Sequence, residues 1–129
     1  MNGMRNFREL EVWQRAHRLT LDVYRDSAEF PKAEMFGLTS QMRRAAASVG
    51  ANIAEGAGKF SGAELLRYLQ IASGSASELE NHLILARDLG FLEDERFGRL
   101  ERDIQDVKMM ITRFVQHLRR ESGKQKAEV

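Results

Sequence analysis

Apolar residues in this chain recur at helical steps along four stretches. Leu65, Leu69, Ala72, Ala76, Leu79, Leu83 and Ala86 step alternately by four and three. Phe97, Leu100, Ile104, Val107, Ile111, Phe114 and Leu118 do the same. Such a sustained four-three pattern places one continuous stripe of side chains along a helix, facing a core. Leu38, Met42, Val49 and Ile53 mark a third helix. In the fourth, Val12, Trp13, Ala16, Leu19, Thr20, Val23 and Tyr24 share one side, flanked by Leu10 and Leu21. That arc spans roughly half the helix circumference, wider than a two-position seam requires, and predicts burial beyond a single subunit.

Local signals bound these helices. The first runs from about Arg8 to Ala28 and is stopped by Phe30-Pro31. The second follows Gly37 and ends in Gly56-Ala57-Gly58-Lys59, with Gly58 as its C-cap. Ser61 and Glu64 form an S-x-x-E capping box for the third, which Gly90 ends, with Phe91-Leu92 folding back. Asp94 caps the fourth. A single proline and the lack of hairpin turns between alternating apolar residues exclude a β architecture. Short connections predict an all-α, antiparallel up-down-up-down four-helix bundle over residues 1–118. Residues 119–129, without apolar period, are expected to be a disordered tail.

The second helix is expected to be the central, most enclosed one. Ala45, Ala46, Ala47, Gly50, Ala51, Ala54 and Gly56 leave it little bulk on any side, so neighbouring backbones can approach closely. The slim segment Ser73-Gly74-Ser75 of the third helix is its expected partner. A polar row, Gln41, Arg44, Ser48, Asn52 and Glu55, also runs along it. Two readings stay open: a solvated face, or a polar seam at a subunit contact or ligand surface. With Trp13, the residues Gln41, Arg44, Asn52 and Glu55 are the candidate interface.

Composition narrows function by exclusion. Twenty Lys and Arg against 19 Asp and Glu give a net charge of +1, so no global field favours nucleic acid. Arg8, Arg15, Arg18 and Arg25 line one side of the first helix, but Glu11, Asp22, Asp26 and Glu29 interleave with them as a solvated face does. Absence of cysteine excludes disulfides and thiolate chemistry and fits a reducing, cytoplasmic setting. No secretory h-region and no run of about 18 apolar residues is present, so no membrane span is expected. None of His17, His82 or His117 follows a Glu at the three-residue spacing of di-iron bundles, so neither metal nor cofactor is expected. Glu78 and His82 read as an exposed pair. The fragment Gly56-Ala57-Gly58-Lys59 lacks the first glycine and the strand of a phosphate-binding loop. Arg113 and His117 lie too close together for the arginine–histidine pattern of helical nucleases. A non-enzyme is expected. Clustered cations, Arg43, Arg44, Lys59 and Arg67, are the candidates for RNA or DNA, if a ring repeats them into a basic rim.

Several motifs carry a resemblance to a known family. They are Leu10-x-Val12-Trp13-x-x-Ala16; the run from Phe30-Pro31 through Glu34, Phe36-Gly37-Leu38 and Gln41 to Arg43-Arg44-Ala45-Ala46; Asn52-Ile53-Ala54-Glu55-Gly56; and Gly74-Ser75-Ala76-x-Glu78-Leu79-Glu80. Over about Phe7 to Leu118 the chain resembles the four helix bundle protein family, the 23S ribosomal RNA intervening-sequence proteins. The resemblance implies ring-forming bundles, commonly pentamers, that act by interaction with themselves and possible protein or nucleic-acid partners. A relative, the accessory variability determinant of diversity-generating retroelements, is strongly basic and binds nucleic acid and a reverse transcriptase. The charge of +1 departs from that pattern.

Overall fold

The computed structural model describes residues 6–128. Its helices are α1, Glu11–Asp26, α2, Leu38–Ala57, α3, Gly62–Asp88, and α4, Asp94–Glu128, with 3-10 turns at Phe7–Glu9 and Lys32–Glu34. No strand occurs among the described residues. α1 packs on α2 and α4, and α3 packs on the same two, while the diagonal pairs stay apart. Cross-links fix the direction of every neighbour. Thr20 Oγ1 sits between the Ala16 and Ala46 carbonyls at 2.9 and 3.0 Å, and Arg43 reaches back to Tyr24. Ser48 meets Ser75 while Gly56 faces Tyr68, Asp26 meets Arg99 while Arg15 meets Asp106, and Glu80 meets Lys108 while Leu69 and Ser73 line a groove with Ile111 and Val115. Neighbours are therefore antiparallel, as an up-down-up-down bundle requires.

The two four-three stripes lie in the core. Leu65 through Ala86 are buried, as are Phe97 through Ile111, whereas Phe114 and Leu118 are only partly covered. The expected close approach of α2 and α3 is present: a Cβ added at Gly56 would stand 2.8 Å from Tyr68 Cβ and 3.0 Å from Leu65 Cδ1. Only a glycine leaves room there for the Tyr68 backbone to draw near. α3 ends in a Schellman motif around Gly90, whose φ is +82°: Phe91 N–H donates to Ala86 O and Gly90 N–H to Arg87 O, both at 2.9 Å. Leu92 is buried behind that turn, and Phe91 packs on Phe30 at 5.9 Å between ring centroids. Ser61 Oγ accepts from Glu64 N–H at 3.1 Å, which starts α3.

The structure corrects several expectations. α1 begins at Glu11 rather than Arg8, because Asn6 caps the Phe7–Glu9 turn and Leu10 is extended. The chain from Arg119, expected to be disordered, stays helical to Glu128; it contains no proline to interrupt the hydrogen-bond ladder. Residues 1–5 and 129 lie outside the described residues. α2 has ten of its 20 residues buried, a larger share than α1 or α3, but it is not central: it is one corner of the bundle, and its Arg44, Ala47, Ala51 and Glu55 face solvent. The arginine-bearing side of α1 is not simply solvated. Asp26 is buried there and paired with Arg99 at 3.1 Å and Arg25 at 3.6 Å, while Arg15 bridges to Asp106 at 2.9 Å. Burial of Asp26 makes these partners obligatory.

Candidate functional site

The predicted site residues fall into three groups. Trp13 lies half-buried where α1 crosses α2, stacked on His17 at 4.8 Å and meeting Phe7 edge-on at 5.0 Å. Gly50 faces it: an added Cβ would sit 3.6 Å from Trp13 Nε1. The wide apolar arc of α1 is therefore partly used within the subunit. Leu21 and Tyr24 remain outside it, 55% and 46% exposed.

The polar row of α2 divides. Asn52 Nδ2 donates to Ser48 O at 2.8 Å and contacts Ser48 Oγ at 3.0 Å, and Ser48 Oγ bonds Ser75 Oγ at 2.9 Å. These three half-buried groups close the outer edge of the α2–α3 contact and satisfy one another. Gln41, Arg44 and Glu55 stand exposed beside them.

The four candidate cations are not one patch. Arg43 is committed inside the subunit: its Nε donates to Ser27 Oγ at 2.9 Å and Nη2 to Tyr24 O at 3.2 Å, with the guanidinium over the Tyr24 ring. It closes the C-terminus of α1, where cations are favoured. Arg44 is exposed on the neighbouring face. Lys59 and Arg67 belong to the opposite end, more than 20 Å along α2 at about 1.5 Å per residue. There both lie over one ring, Lys59 Nζ at 5.4 Å and Arg67 Cζ at 4.6 Å from the Tyr68 centroid.

His82, expected in an exposed pair, is buried on the α2 side of α3. Its Nε2 still meets Glu78 Oε2 at 3.1 Å, and Nδ1 is buried without a partner among the described residues. Arg113 donates to Met109 Sδ, and both Arg113 and His117 are exposed. The groove between α3 and α4, about 270 Å³, is lined by Leu69, Gln70, Ser73, Ile111, Thr112, Val115, Gln116 and Arg119, so that pair does not share it. Among the described residues no cluster of three His, Asp or Glu side chains could hold a metal, and no helix is long and apolar enough to cross a membrane.

Sequence reasoning passed over the exposed apolar residues. Ile71, Leu85 and Leu89 stand out on α3, and Met35, Phe36 and Phe60 project from the connections, Phe36 at 97% exposure. A signal existed for the first three. Residues 71, 75, 78, 82, 85 and 89 form a second four-three row beside the core stripe. Phe36 and Phe60 belong to no helical period, and only their exposure reveals them.

The sequence profile described as 23S rRNA-intervening sequence protein matches residues 8–113. A solved structure of a protein with unknown function from the S23 ribosomal protein family of Bacteroides thetaiotaomicron is similar in fold, with a TM-score of 0.73 at 21% identity. The match covers 81% of this chain and 97% of that one. No curated protein matches.

Proposed function

The chain belongs to the 23S rRNA-intervening sequence protein family, and from that premise we propose that it works as a cytoplasmic, non-catalytic homo-oligomer, a ring of five bundles acting as an interaction scaffold. The observation that carries this reading is the placement of uncovered apolar side chains. Leu21 and Tyr24 lie on α1, while Ile71, Leu85 and Leu89 lie on α3, its diagonal neighbour. Two separate patches, on helices that do not touch, suit a heterologous, head-to-tail contact, which closes into a ring where the rotation between copies allows it. A two-fold dimer needs only one. Gln41 and Arg44 are exposed on α2 near the Arg43 that reaches Tyr24 and supply a polar margin to the first patch, while the half-buried Trp13 and the exposed Glu55 lie toward the other end of the same two helices.

The mass of the native assembly at micromolar protein tests this reading. A species of about five times the 14.7 kDa chain is expected, and a monomer at that concentration removes it.

A second reading, nucleic-acid binding, is favoured by the convergence of Lys59 and Arg67 on Tyr68. In a ring these cations recur once per subunit at one end, and phosphate binding through them weakens steeply with salt.

A further inference from the structure

We propose that the α2–α3 turn is a site for single-stranded nucleic acid, in which Phe60 stacks against an unpaired base while Lys59 and Arg67 hold the phosphates on either side. This deepens the second reading above and rests on it.

The ring of Phe60 is 79% exposed on the short connection between Ala57 and Gly62. That connection is tied at both ends. Gly58 N–H donates to the Ala54 and Glu55 carbonyls and Lys59 N–H to Gly56 O, while Ser61 caps α3. The aromatic is therefore presented by fixed backbone, with little ordering left to do on binding. Lys59, the residue before Phe60, and Arg67 both lie over the Tyr68 ring of α3, at 5.4 and 4.6 Å from its centroid. An exposed aromatic ring next to cations is the arrangement that binds single strands without sequence preference.

Two carboxylates share the turn. Glu55 Oε2 lies 3.9 Å from Lys59 Nζ and Glu64 Oε1 lies 4.0 Å from Arg67 Nε. Pairs this long and this open to water hold weakly, so a phosphate can replace either one. Their charge also explains why the site must depend on stacking and not on cations alone. A duplex offers no free base face, and one projecting ring with two cations cannot follow both of its strands.

The test is fluorescence anisotropy of the full chain at low salt with a labelled oligouridylate, an oligothymidylate and a duplex of equal length. Binding of either single strand, tighter than the duplex, is expected. Phe60→Ala weakens it about ten- to hundredfold, as loss of one stacked base does, with helix content and native mass unchanged, and Phe60→Trp restores it. Lys59→Gln and Arg67→Gln each lower the slope of log affinity against log salt by about 0.7. Glu55→Gln strengthens binding. No binding of any strand overturns this site and the nucleic-acid reading together. Binding indifferent to Phe60→Ala, or equal for the duplex, overturns the site and leaves the broader reading standing. A change of native mass in Phe60→Ala makes the ring a subunit contact and overturns the site as well.

Discussion

At the scale of single residues, space decides which glycines are required. Gly56 and Gly74 are both helical, and both lose about 1 kcal/mol of helix propensity relative to alanine. Around Gly74 nothing lies within 4 Å of an added Cβ, whereas at Gly56 the Tyr68 Cβ is 2.8 Å away. Gly74→Ala should therefore stabilise the fold by about 0.5 to 1 kcal/mol. Gly56→Ala should destabilise it by about 1 to 3 kcal/mol, because Tyr68 is held by its own helix backbone and cannot retreat. Urea denaturation of the two variants at one protein concentration reads both signs. Equal effects would mean that α2 and α3 move apart readily enough to admit a methyl group. Arg43 teaches a related lesson. Among four candidate cations it is the one whose donors are already spent on Ser27 and Tyr24.

At the scale of elements, the four interhelical contacts are of different kinds. α2 and α3 meet through small residues and a short serine bridge, while α1 and α4 meet through ions. Asp22, Asp26, Asp103 and Asp106 share that second seam with Arg15, Arg25 and Arg99. Asp103 bears the strain of it. Partial desolvation first, then the Asp22 and Asp106 carboxylates, raise its pKa above the usual 3.8, against the pull of Arg15 and Arg99. A raised folded-state pKa means that the folded chain binds more protons than the unfolded chain within that window. Stability then falls as pH rises through it: the penalty is absent below about 3.8 and complete above the raised value. Asp103→Asn should accordingly stabilise the protein at pH 7, with the gain fading as pH falls toward 3.8. Thermal denaturation of parent and variant across that range checks it. A gain that persists at low pH would trace the effect to packing instead.

For the whole molecule, the question is what covers the apolar surface that four helices leave outside. α3 carries two rows, one of leucines and alanines buried against its neighbours and one at its margin, where Ser75 and His82 are covered but Ile71, Leu85 and Leu89 are exposed. If the outer row meets a second copy, folding stability includes the association and Tm rises with protein concentration. Leu85→Lys should leave the helical content of the subunit unchanged, since Leu85 is already 45% exposed. It should lower the native mass and abolish the concentration dependence of Tm. An unaltered mass would put the subunit contact elsewhere, with Leu21 and Tyr24 of α1 the next surface to change.

The sequence alone did not determine where α1 begins or that α4, whose first residue is Asp94, runs on to Glu128, but it did determine the number and order of the helices, the caps at Ser61 and Gly90, and the core. Those features follow from local rules: a repeat of four and three selects one face of a helix, a serine or a left-handed glycine closes its end, and short turns force neighbours to run antiparallel. Leu65 to Ala86 and the Gly90 turn were legible for that reason. Their tertiary environment decided what each polar or off-stripe residue does. Asp26 and His82 read as surface residues until the neighbouring helices bury them, and Arg43 reads as a free cation until the end of α1 takes its donors. Lys59 and Arg67 meet at Tyr68, and Phe60 stands beside them, only because the α2–α3 turn folds the chain back on itself. Burial and charge partners are set by what packs across from a residue, and periodicity within one helix says nothing of the helix opposite.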